Sequence, residues 1–381
     1  MILLPDAGGE LEPYVLSGAR PVTPVPGGFE SRIAYAAAHV VIDPLRTGDP
    51  LSAPVIDFDA TLDYRRYLWS LGFRVAEAMD TAQRGMGLHW EMARELIRLT
   101  AAEASAMGAV VACGANTDQS AATTLDAAIA AYQEQCAYIE GCGAQVILMA
   151  SRAVAATARG AADYERVYRA VLSGCSRPVI LHWLGEAFDP ALAGYWGGAN
   201  TDEGMRICLG IIAENQRHVD GIKISLLDAR REIEMRRLLP PGVRMYTGDD
   251  FNYPQLIEGD TFGYSDALLG IFDGIAPVAA AALQALDRGD AARYDELLGP
   301  TVPLSRHIFQ APTFFYKTGI VFLAYLNGHQ NHFRMLGGQE SMRSIAHLAE
   351  LFRLADQAGL LPDTDLAMDR MRRVLALAGV A

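Results

Sequence analysis

One lysine in an apolar run is the residue best suited to covalent chemistry. Residues 219–225 read VDGIKIS, and their β-branched side chains predict a buried strand on which alternate residues share a face. Lys223 then faces the same way as Gly221, which leaves room beside the amine. Burial without an ion-pair partner lowers the pKa of a lysine, and a neutral amine attacks a carbonyl to form a Schiff base. A lysine at a sheet edge that reaches solvent is the alternative interpretation.

Composition restricts the class of protein. The chain has 381 residues, of which 51% are hydrophobic and 20% are charged, as in globular enzymes of one large or two modest domains. Its net charge of −13 argues against a nucleic-acid or membrane-surface partner, since either favours a basic face. We find no secretion signal and no apolar run long enough to span a membrane. The five cysteines are an odd number without metal-type spacing, which indicates reduced thiols in a cytoplasmic protein.

Short apolar runs alternate with helical patterns between residues 32 and 289. Eight such strand–helix units in about 250 residues predict an α/β fold of the (β/α)8 TIM barrel type. No G-x-G-x-x-G follows the first strand, which argues against a doubly wound sheet. The eight strands are predicted at Ile33–Ile42, Arg74–Met79, Ala109–Cys113, Gln145–Met149, Pro178–Leu184, Val219–Ser225, Val243–Thr247 and Thr261–Ser265.

Two segments flank the predicted barrel in the sequence. Residues 1–31 are rich in Pro and Gly and show no sustained periodicity, so we expect an extended arm that packs against a neighbouring subunit. Residues 290–381 carry helical patterns, which predict a helical appendix packed on the barrel. An acidic chain with such an arm and with apolar helices such as Phe314–Leu326 is expected to form a homodimer or homotetramer.

Polar residues follow most of the predicted strands at the point where each strand ends. In (β/α)8 barrels the active site lies at the carboxyl ends of the strands, so we expect these residues to converge around Lys223. The candidate substrate-binding residues are Asp80, Thr81, Asn116, Arg152, Thr247, Gly248, Asp249, Asp250, Ser265 and Asp266.

His182 is the second candidate catalytic residue. It lies in the fifth predicted strand among apolar neighbours, so a buried core histidine is the alternative. Schiff-base chemistry needs a group that moves protons, and imidazole titrates in the right range. Arg152 would suit a bidentate contact with a substrate carboxylate. One of Asp249 and Asp250 could cap the following helix while the other binds substrate hydroxyls.

A divalent-metal site is the main competing interpretation. No H-x-H or H-E-x-x-H motif supports one, so we assign no metal ligand. His329 and His332 have helical spacing, but Gly328 beside them indicates a helix end or loop. We therefore expect these two histidines at a pocket rim or an oligomer contact. The residues that could assemble a metal cluster are His39, His182, Asp57, Asp59, Asp249 and Asp250.

Four short motifs resemble those of one enzyme superfamily. Over residues 32–375 the chain resembles the dihydrodipicolinate synthases and N-acetylneuraminate lyases, as an outlying branch. The resemblance implies a class I aldolase barrel in which Lys223 forms a Schiff base with a 2-keto acid such as pyruvate, without a separate cofactor. It also implies the helical appendix and an oligomer. The motifs are GIK at 221–223, MYTGDD at 245–250, GYS at 263–265 and ACGAN at 112–116.

Two departures from the family pattern bear on the substrate. The family's strand-two Gly-Thr-Thr-Gly-Glu, which holds the keto-acid carboxylate, corresponds here to AMDTAQ at residues 78–83. There Thr81 is the only remaining hydroxyl, and Asp80 would repel a carboxylate. The family's strand-five tyrosine, its proton relay, falls on His182. The resemblance therefore implies Schiff-base chemistry without specifying pyruvate, and a neutral or hydroxyl-rich keto compound fits at least as well.

These observations predict a cytoplasmic Schiff-base lyase, aldolase or dehydratase that acts on a keto acid or keto sugar derivative. Lys223 is the expected nucleophile and His182 the expected proton relay, with no cofactor beyond the lysine imine. A small keto molecule is the expected partner, with neither nucleic acid nor membrane. One rival is a divalent-metal barrel aldolase or isomerase. The other is a barrel that binds a metabolite without turnover, which the loss of the threonine pair and the tyrosine favours.

Overall fold

The chain folds into a closed barrel of eight parallel strands. The structure is a computed structural model that describes residues 1–18, 22–24 and 27–380. Each barrel strand pairs with the next one along the chain, and the last pairs with the first. The predicted (β/α)8 barrel is therefore confirmed. In chain order the strands are β1 (Ile2–Pro5), β2 (Leu11–Tyr14), β3 (Ala34–Ala37), β4 (Arg74–Glu77), β5 (Val111–Ala115), β6 (Gln145–Met149), β7 (Val179–Leu184), β8 (Val219–Ser225), β9 (Arg244–Thr247) and β10 (Asp266–Leu269), of which β3 to β10 form the barrel.

Helices separate most of the barrel strands in the sequence and continue after the last strand. Between β10 and residue 380 the described chain forms helices and turns, which confirms the predicted helical appendix. Among the described residues, no helix is both long and apolar enough to cross a membrane. The α-helices are α1 (Phe58–Ser70), α2 (Trp90–Met107), α3 (Leu125–Gly141), α4 (Arg152–Thr157), α5 (Ala161–Leu172), α6 (Thr201–Glu214), α7 (Ala229–Leu238), α8 (Tyr253–Glu258), α9 (Ile271–Gly274), α10 (Ala276–Asp287), α11 (Ala291–Leu298), α12 (Thr301–Ile308), α13 (Tyr316–Leu326), α14 (Ile345–Gln357) and α15 (Thr364–Leu377). Short 3-10 segments lie at Pro190–Leu192, Gln216–His218, Thr313–Phe315 and Leu336–Ser341.

Short polar side chains fix where many of these helices begin. The Asp57 carboxylate accepts a hydrogen bond from Ala60 N at 3.0 Å, at the start of α1. The Thr124 hydroxyl and the Asn200 amide oxygen act in the same way at α3 and α6. Such caps satisfy backbone N–H groups that have no partner in the first turn, so the sequence itself marks these helix starts.

The described chain divides into two compact units. The barrel unit comprises Arg32–Ala38 and Arg74–Leu269, and it holds every strand of the barrel. The helical unit comprises Met1–Ser31, His39–Phe73 and Gly270–Ala381. Lys223, His182 and all the candidate substrate-binding residues belong to the barrel unit. The predicted domain boundaries after residues 31 and 289 stay a prediction.

The eighth barrel strand begins later than predicted. The expected strand Thr261–Ser265 is wrong, because Gly259 and Gly263 adopt φ angles of +89° and +142° and form a turn there. The strand is instead β10, which spans Asp266–Leu269. Ser265 and Asp266 therefore lie at the amino end of the eighth strand, not at its carboxyl end.

Other barrel strands are shorter than predicted or shifted. The first spans four residues, Ala34–Ala37, where Ile33–Ile42 was expected. The second ends at Glu77 because Ala78 has a φ of +53°, a left-handed conformation that cannot continue a strand. The third is displaced toward the carboxyl end, to Val111–Ala115. These differences change the strand ends and leave the order of the strands as predicted.

Two tyrosines fill the amino-terminal end of the barrel interior. The rings of Tyr35 and Tyr246 meet edge to face with centroids 6.0 Å apart. Tyr35 donates to Gln145 Oε1 at 3.1 Å and Tyr246 donates to Asp220 Oδ2 at 2.6 Å, and both partners lie near the starts of their strands. The rings therefore lean toward the amino ends. The rest of this buried inner cluster is Ala37, Ala76, Met79, Ala112, Ile147, Met149, Ile180 and Leu268.

The predicted amino-terminal arm contains secondary structure. Strands β1 and β2 pair as an antiparallel hairpin within the helical unit. The Asp356 carboxylate on α14 accepts hydrogen bonds from the Tyr14 hydroxyl at 2.7 Å and from Ser17 N at 2.6 Å. This segment therefore packs against its own chain. Residues 19–21, 25 and 26 of the predicted arm lie outside the described residues, and its contact with a second subunit stays a prediction.

Candidate active site

Lys223 and His182 lie side by side on the inner face of the barrel. They are direct partners in the register between β8 and β7. Ile180 belongs to the inner cluster, and His182 follows it by two residues, so both point inward. Gly221 also faces inward, against the ring of Tyr246, and Lys223 follows Gly221 by two residues. Strand β8 therefore has the predicted bounds, and Lys223 points into the barrel as predicted.

Two glycines leave room for the Lys223 side chain and its surroundings. A Cβ atom on Gly221 would lie 2.6 Å from Cε2 of Tyr246 and 2.7 Å from the carbonyl oxygen of Arg244. A Cβ atom on Gly248 would lie 2.7 Å from Cε of Lys223 and would also collide with Ser225. Since real Cβ contacts are not this short, each position requires glycine for close approach. Gly248 thus packs directly against the lysine, as its place after the seventh strand predicts.

The surroundings of Lys223 favour a neutral amine. Its side chain is buried, with 7% of the residue exposed, and this burial lowers its pKa from the ordinary value. The carboxylates of Asp250 and Asp80 raise the pKa and so oppose part of that shift. A larger fraction of the amine is therefore unprotonated near neutral pH than for a lysine in solvent. Two carboxylates remain available to stabilise a positive charge that develops on its nitrogen.

His182 is a buried neutral imidazole. Burial holds its pKa well below the usual range, and the neighbouring Lys223 amine lowers it further. Its Nε2 lies 3.4 Å from Ser225 Oγ, and its Nδ1 lies 4.0 Å from Asp80 Oδ2, beyond hydrogen-bonding distance. Nδ1 has no hydrogen-bond partner among the described residues. The neutral ring therefore keeps one nitrogen with a lone pair, next to the lysine in the strand register.

A buried arginine shapes the loop that carries Asp80 and Thr81. Arg84 donates to the carbonyl oxygens of Ala78 and Gly114 at 3.3 and 3.2 Å, which ties the end of β4 to β5. It also forms an ion pair with Asp118 at 2.6 Å. Arg84 was not among the residues predicted from the sequence. Its ion pair with Asp118 joins residues 34 positions apart, and no local sequence motif indicates it.

The polar groups after β5 hold their own loop. Asn116 donates its backbone N–H to Gln135 Oε1 at 2.7 Å, and its Oδ1 accepts from the N–H of Thr117 at 2.7 Å. The Thr117 and Ser151 hydroxyls lie 2.6 Å apart, which joins this loop to the one after β6. Asn116 is therefore close to the carboxyl ends of the strands, with its amide oxygen engaged in the turn.

The two aspartates after β9 have different surroundings. Asp249 accepts hydrogen bonds from the backbone N–H groups of Phe251 and Asn252 at 2.9 and 3.0 Å, and from Asn252 Nδ2 at 2.9 Å. It therefore organises the turn that leads into α8. Asp250 instead acts electrostatically on Lys223. The two aspartates therefore act on different groups, Asp249 on the turn and Asp250 on the Lys223 amine.

Arg152 is engaged outside the inner face. Its Nε lies 2.6 Å from Asp189 Oδ2, and its side chain is 59% exposed. Arg152 starts α4 directly after Ser151, so it stays close to the end of β6. Asp189 therefore competes with a substrate carboxylate for this guanidinium.

The long loop after β7 also packs inward on the protein. Tyr195 and Trp196 are buried, and their rings contact Tyr164 and Tyr168 of α5. The Tyr195 hydroxyl accepts a hydrogen bond from the N–H of Ser151 at 3.1 Å. These two rings are therefore part of the core that supports the ends of β6 and β7.

Ser265 and Asp266 lie away from the residues around Lys223. Asp266 accepts a hydrogen bond from the N–H of Ile33 at 2.7 Å, at the amino ends of β10 and β3. Ser265 donates to the buried carboxyl group of Glu232 on α7 at 2.7 Å. Their predicted position at the carboxyl end of the eighth strand is wrong because the strand starts at Asp266.

Thr247 points away from the barrel interior. Its hydroxyl donates to Glu232 Oε2 at 3.0 Å, because it alternates with the inward Tyr246. Burial raises the pKa of Glu232 to about 8, and the Asp249 carboxylate contributes to that increase. The protonated form of this carboxyl group is therefore stable in the folded protein near neutral pH.

A Glu232→Gln variant is expected to become more stable than the wild type as pH rises. The folded-state pKa of about 8 lies above the ordinary value of 4.5, so the folded protein keeps a proton that the unfolded chain loses. The contribution of Glu232 to stability is therefore full below pH 4.5 and is lost as pH rises toward 8. Glutamine keeps hydrogen bonds without titrating. Over that window the variant should gain on the order of 4 kcal/mol relative to the wild type.

Thermal melting at pH 5 and pH 9 measures this difference. Glu234→Gln is the matched control, since Glu234 lies on the exposed face of the same helix. The control should melt with the wild type at both pH values. A Glu232→Gln advantage that is the same at pH 5 and pH 9 would contradict the assignment of a buried, protonated carboxyl group.

The residues considered for a metal site do not converge. In the part of the chain that the structure describes, no group of three or more His, Cys, Asp or Glu residues is arranged to hold a metal ion. His39 lies 2.9 Å from Asp273 within the helical unit, and Asp57 caps α1. His329 and His332 follow the end of α13 in a turn, as Gly328 predicts. His329 packs against tyrosines, and the ring of His332 contacts the carbonyl oxygen of Ile42.

Comparison with solved structures identifies the class of barrel. A Pseudomonas aeruginosa protein provisionally assigned as a dihydrodipicolinate synthetase matches with a TM-score of 0.65 and 17% identity, over 87% of this chain and 98% of that one. YagE, a prophage protein of the dihydrodipicolinic acid synthase family from E. coli K12 solved with pyruvate, matches with a TM-score of 0.65 and 13% identity, over 92% and 99%. Dihydrodipicolinate synthase from Oceanobacillus iheyensis matches with a TM-score of 0.61 and 16% identity, over 85% and 96%. At these identities the likeness is one of fold, so the chain is a barrel of the dihydrodipicolinate synthase type.

The sequence also matches a family model over almost its whole length. The model describes proteins of unknown function, DUF993, and matches residues 2–380. The chain belongs to this family. No curated protein matches the sequence. This family match and the shared barrel fold are consistent with the outlying branch that the motifs predicted.

Proposed function

We propose that this protein is a class I, Schiff-base-forming lyase, aldolase or dehydratase that acts on a keto acid or keto sugar derivative. The observation that carries the proposal is the buried Lys223 amine, which lies on the inner face of the barrel next to a neutral His182. Among the described residues, no hydrogen bond or ion pair is found for the Lys223 amine, and a neutral amine is the reactive form. The barrel type supports the same chemistry.

The proposed first half-reaction joins the amine to the substrate carbonyl. The Lys223 nitrogen bonds to the carbonyl carbon, a proton moves from nitrogen to oxygen, and the resulting hydroxyl takes up one further proton from solvent and leaves as water. His182 is placed to carry these protons, because its ring lies beside the lysine in the register. The product is a protonated imine, whose positive charge the carboxylates of Asp80 and Asp250 stabilise.

The protonated imine then withdraws electrons from a neighbouring bond. In an aldolase, the hydroxyl on the β carbon loses a proton, the bond between the α and β carbons breaks, and the β fragment leaves as an aldehyde or ketone. In a dehydratase, the α carbon loses a proton, and the β-hydroxyl then takes up a proton and leaves as water. In both cases the imine becomes an enamine, and water later returns the free lysine and the product. Protonation of the enamine carbon is a second role that we propose for His182. Gly248 packs against the Lys223 side chain, and Asp250 acts electrostatically on its amine.

Borohydride is expected to trap the imine on Lys223. Sodium borohydride reduces a protonated imine to a stable secondary amine, so incubation with a bound keto compound should add the mass of that compound less one oxygen atom to the intact protein. The chain has two lysines, Lys223 and Lys317, which makes the attachment site easy to locate by peptide mapping. A panel of keto acids and keto sugars, followed by intact-mass spectrometry, is the measurement.

Two controls separate this chemistry from its rivals. Lys317→Arg should still be labelled, because that lysine donates to the carbonyl oxygen of Phe314 on the helical unit and plays no part in the proposal. EDTA should leave labelling unchanged, whereas a divalent-metal aldolase would lose activity in EDTA and form no adduct. Absence of a borohydride-dependent adduct with every compound of the panel would overturn the proposed function.

A further inference from the structure

The charges around Lys223 restrict what the substrate can carry next to its carbonyl group. Asp80 and Asp250 both act electrostatically on the amine. Once the lysine forms a protonated imine, these two carboxylates face one positive charge. A third negative charge at the same place would be repelled by both, and in a buried site such repulsion is weakly screened.

Asp80 is the carboxylate that a ligand can reach. Its side chain is 21% exposed, and its Oδ2 lies 4.0 Å from Nδ1 of His182. Among the described residues, no group donates a hydrogen bond to the Asp80 carboxylate. Because Asp80 acts electrostatically on Lys223 and lies 4.0 Å from the His182 ring beside it, we infer that it flanks the carbon that the amine would attack. A hydroxyl group on the ligand could donate to it.

The arginines next to the strand ends do not offset this charge. Arg84 is held by Asp118 and by two backbone carbonyl oxygens. Arg152 is paired with Asp189. Each guanidinium therefore already has a carboxylate partner that offsets its positive charge.

We propose that the site selects ketones with a neutral hydroxyl group on the carbon next to the carbonyl, and that Asp80 excludes a carboxylate from that position. This inference rests on the proposed Schiff-base function and narrows its substrate to the α-hydroxy ketones, the class that includes keto sugars. Asp80 accepts the hydrogen bond of the hydroxyl. The carboxylate of a 2-keto acid would instead be repelled by the negative charge of Asp80.

Hydroxyacetone and pyruvate form a matched pair for the test. Both are methyl ketones of similar size, and they differ in the group next to the carbonyl, which is CH2OH in one and a carboxylate in the other. The rate of borohydride-trapped adduct formation is measured for each by intact mass. The wild type should label faster with hydroxyacetone, and Asp80→Asn should shift the ratio of the two rates toward pyruvate by about 10- to 100-fold. Comparing ratios cancels the intrinsic reactivity of the two ketones.

The control variant is Asp126→Asn, which removes one negative charge from an exposed side chain on α3. It should leave the ratio unchanged, and the melting temperatures should show that both variants are folded. Equal or faster labelling by pyruvate in the wild type, with the same ratio in Asp80→Asn, would overturn this inference while the Schiff-base function stands. No adduct with either ketone in the folded wild type would overturn the proposed function itself, and the inference with it.

Discussion

A Lys223→Arg variant is expected to form no borohydride-stable adduct and to lose turnover by at least about 10⁴-fold, the scale of losing a covalent nucleophile. Arginine places a positive charge near Asp80 and Asp250, as the protonated imine would, but its guanidinium does not lose a proton at ordinary pH and cannot form an imine. The reactive atom is therefore removed while both carboxylates keep a cationic neighbour. Intact-mass spectrometry after borohydride treatment, with any ketone that labels the wild type, is the measurement.

The second lysine supplies the matched control for this result. Lys317→Arg makes the same chemical change at a buried lysine on α13, whose amine donates to Phe314 O at 2.8 Å. It should label like the wild type. Because the wider arginine side chain must fit against Gly248, Lys223→Met is a second variant without charge or added width. Adduct on folded Lys223→Arg or Lys223→Met, or full activity in either, would show that Lys223 is structural.

The barrel and its central lysine were predictable because both depend on local patterns. A strand has a side-chain period of two, so the sequence alone placed Lys223 and Gly221 on one face. The alternation of apolar runs and helical patterns gave the order of the strands. The eighth strand was misplaced since Thr, Phe and Tyr in residues 261–265 favour strands. Two glycines with positive φ override that preference and form a turn.

The surroundings of the lysine were harder to predict because they depend on partners distant in the sequence. The sequence suggested that Arg152 could bind a substrate carboxylate, but in the structure it pairs with Asp189, 37 positions away. Arg84 was not predicted because its partner Asp118 is also distant in the sequence. Thr247 sits at the expected strand end, yet its hydroxyl turns outward to Glu232, which no motif identifies. Only the fold reveals which of these polar groups share the inner face with the amine.

A His182→Phe variant is expected to retain imine formation and to slow proton transfer by roughly 10²–10⁴-fold, the usual contribution of a general acid–base group. Phenylalanine fills a similar buried volume between β6 and β8, so the barrel should stay folded. Proton transfer can be measured without knowing the natural substrate. When the imine of hydroxyacetone loses a proton from carbon, the enamine takes up deuterium from D2O, and NMR follows the exchange.

The two readouts separate the roles of the two residues. In Lys223→Arg both the adduct and the deuterium exchange should disappear, whereas in His182→Phe the adduct should remain at saturating ketone and the exchange should slow. His89→Phe is the matched control, since His89 is an exposed imidazole at the start of α2 and should change neither. Exchange at the wild-type rate in His182→Phe would assign the proton relay to another group. Burial keeps His182 neutral throughout the ordinary pH range, so the exchange it supports should not fall as pH drops from 8 to 7 through protonation of its ring.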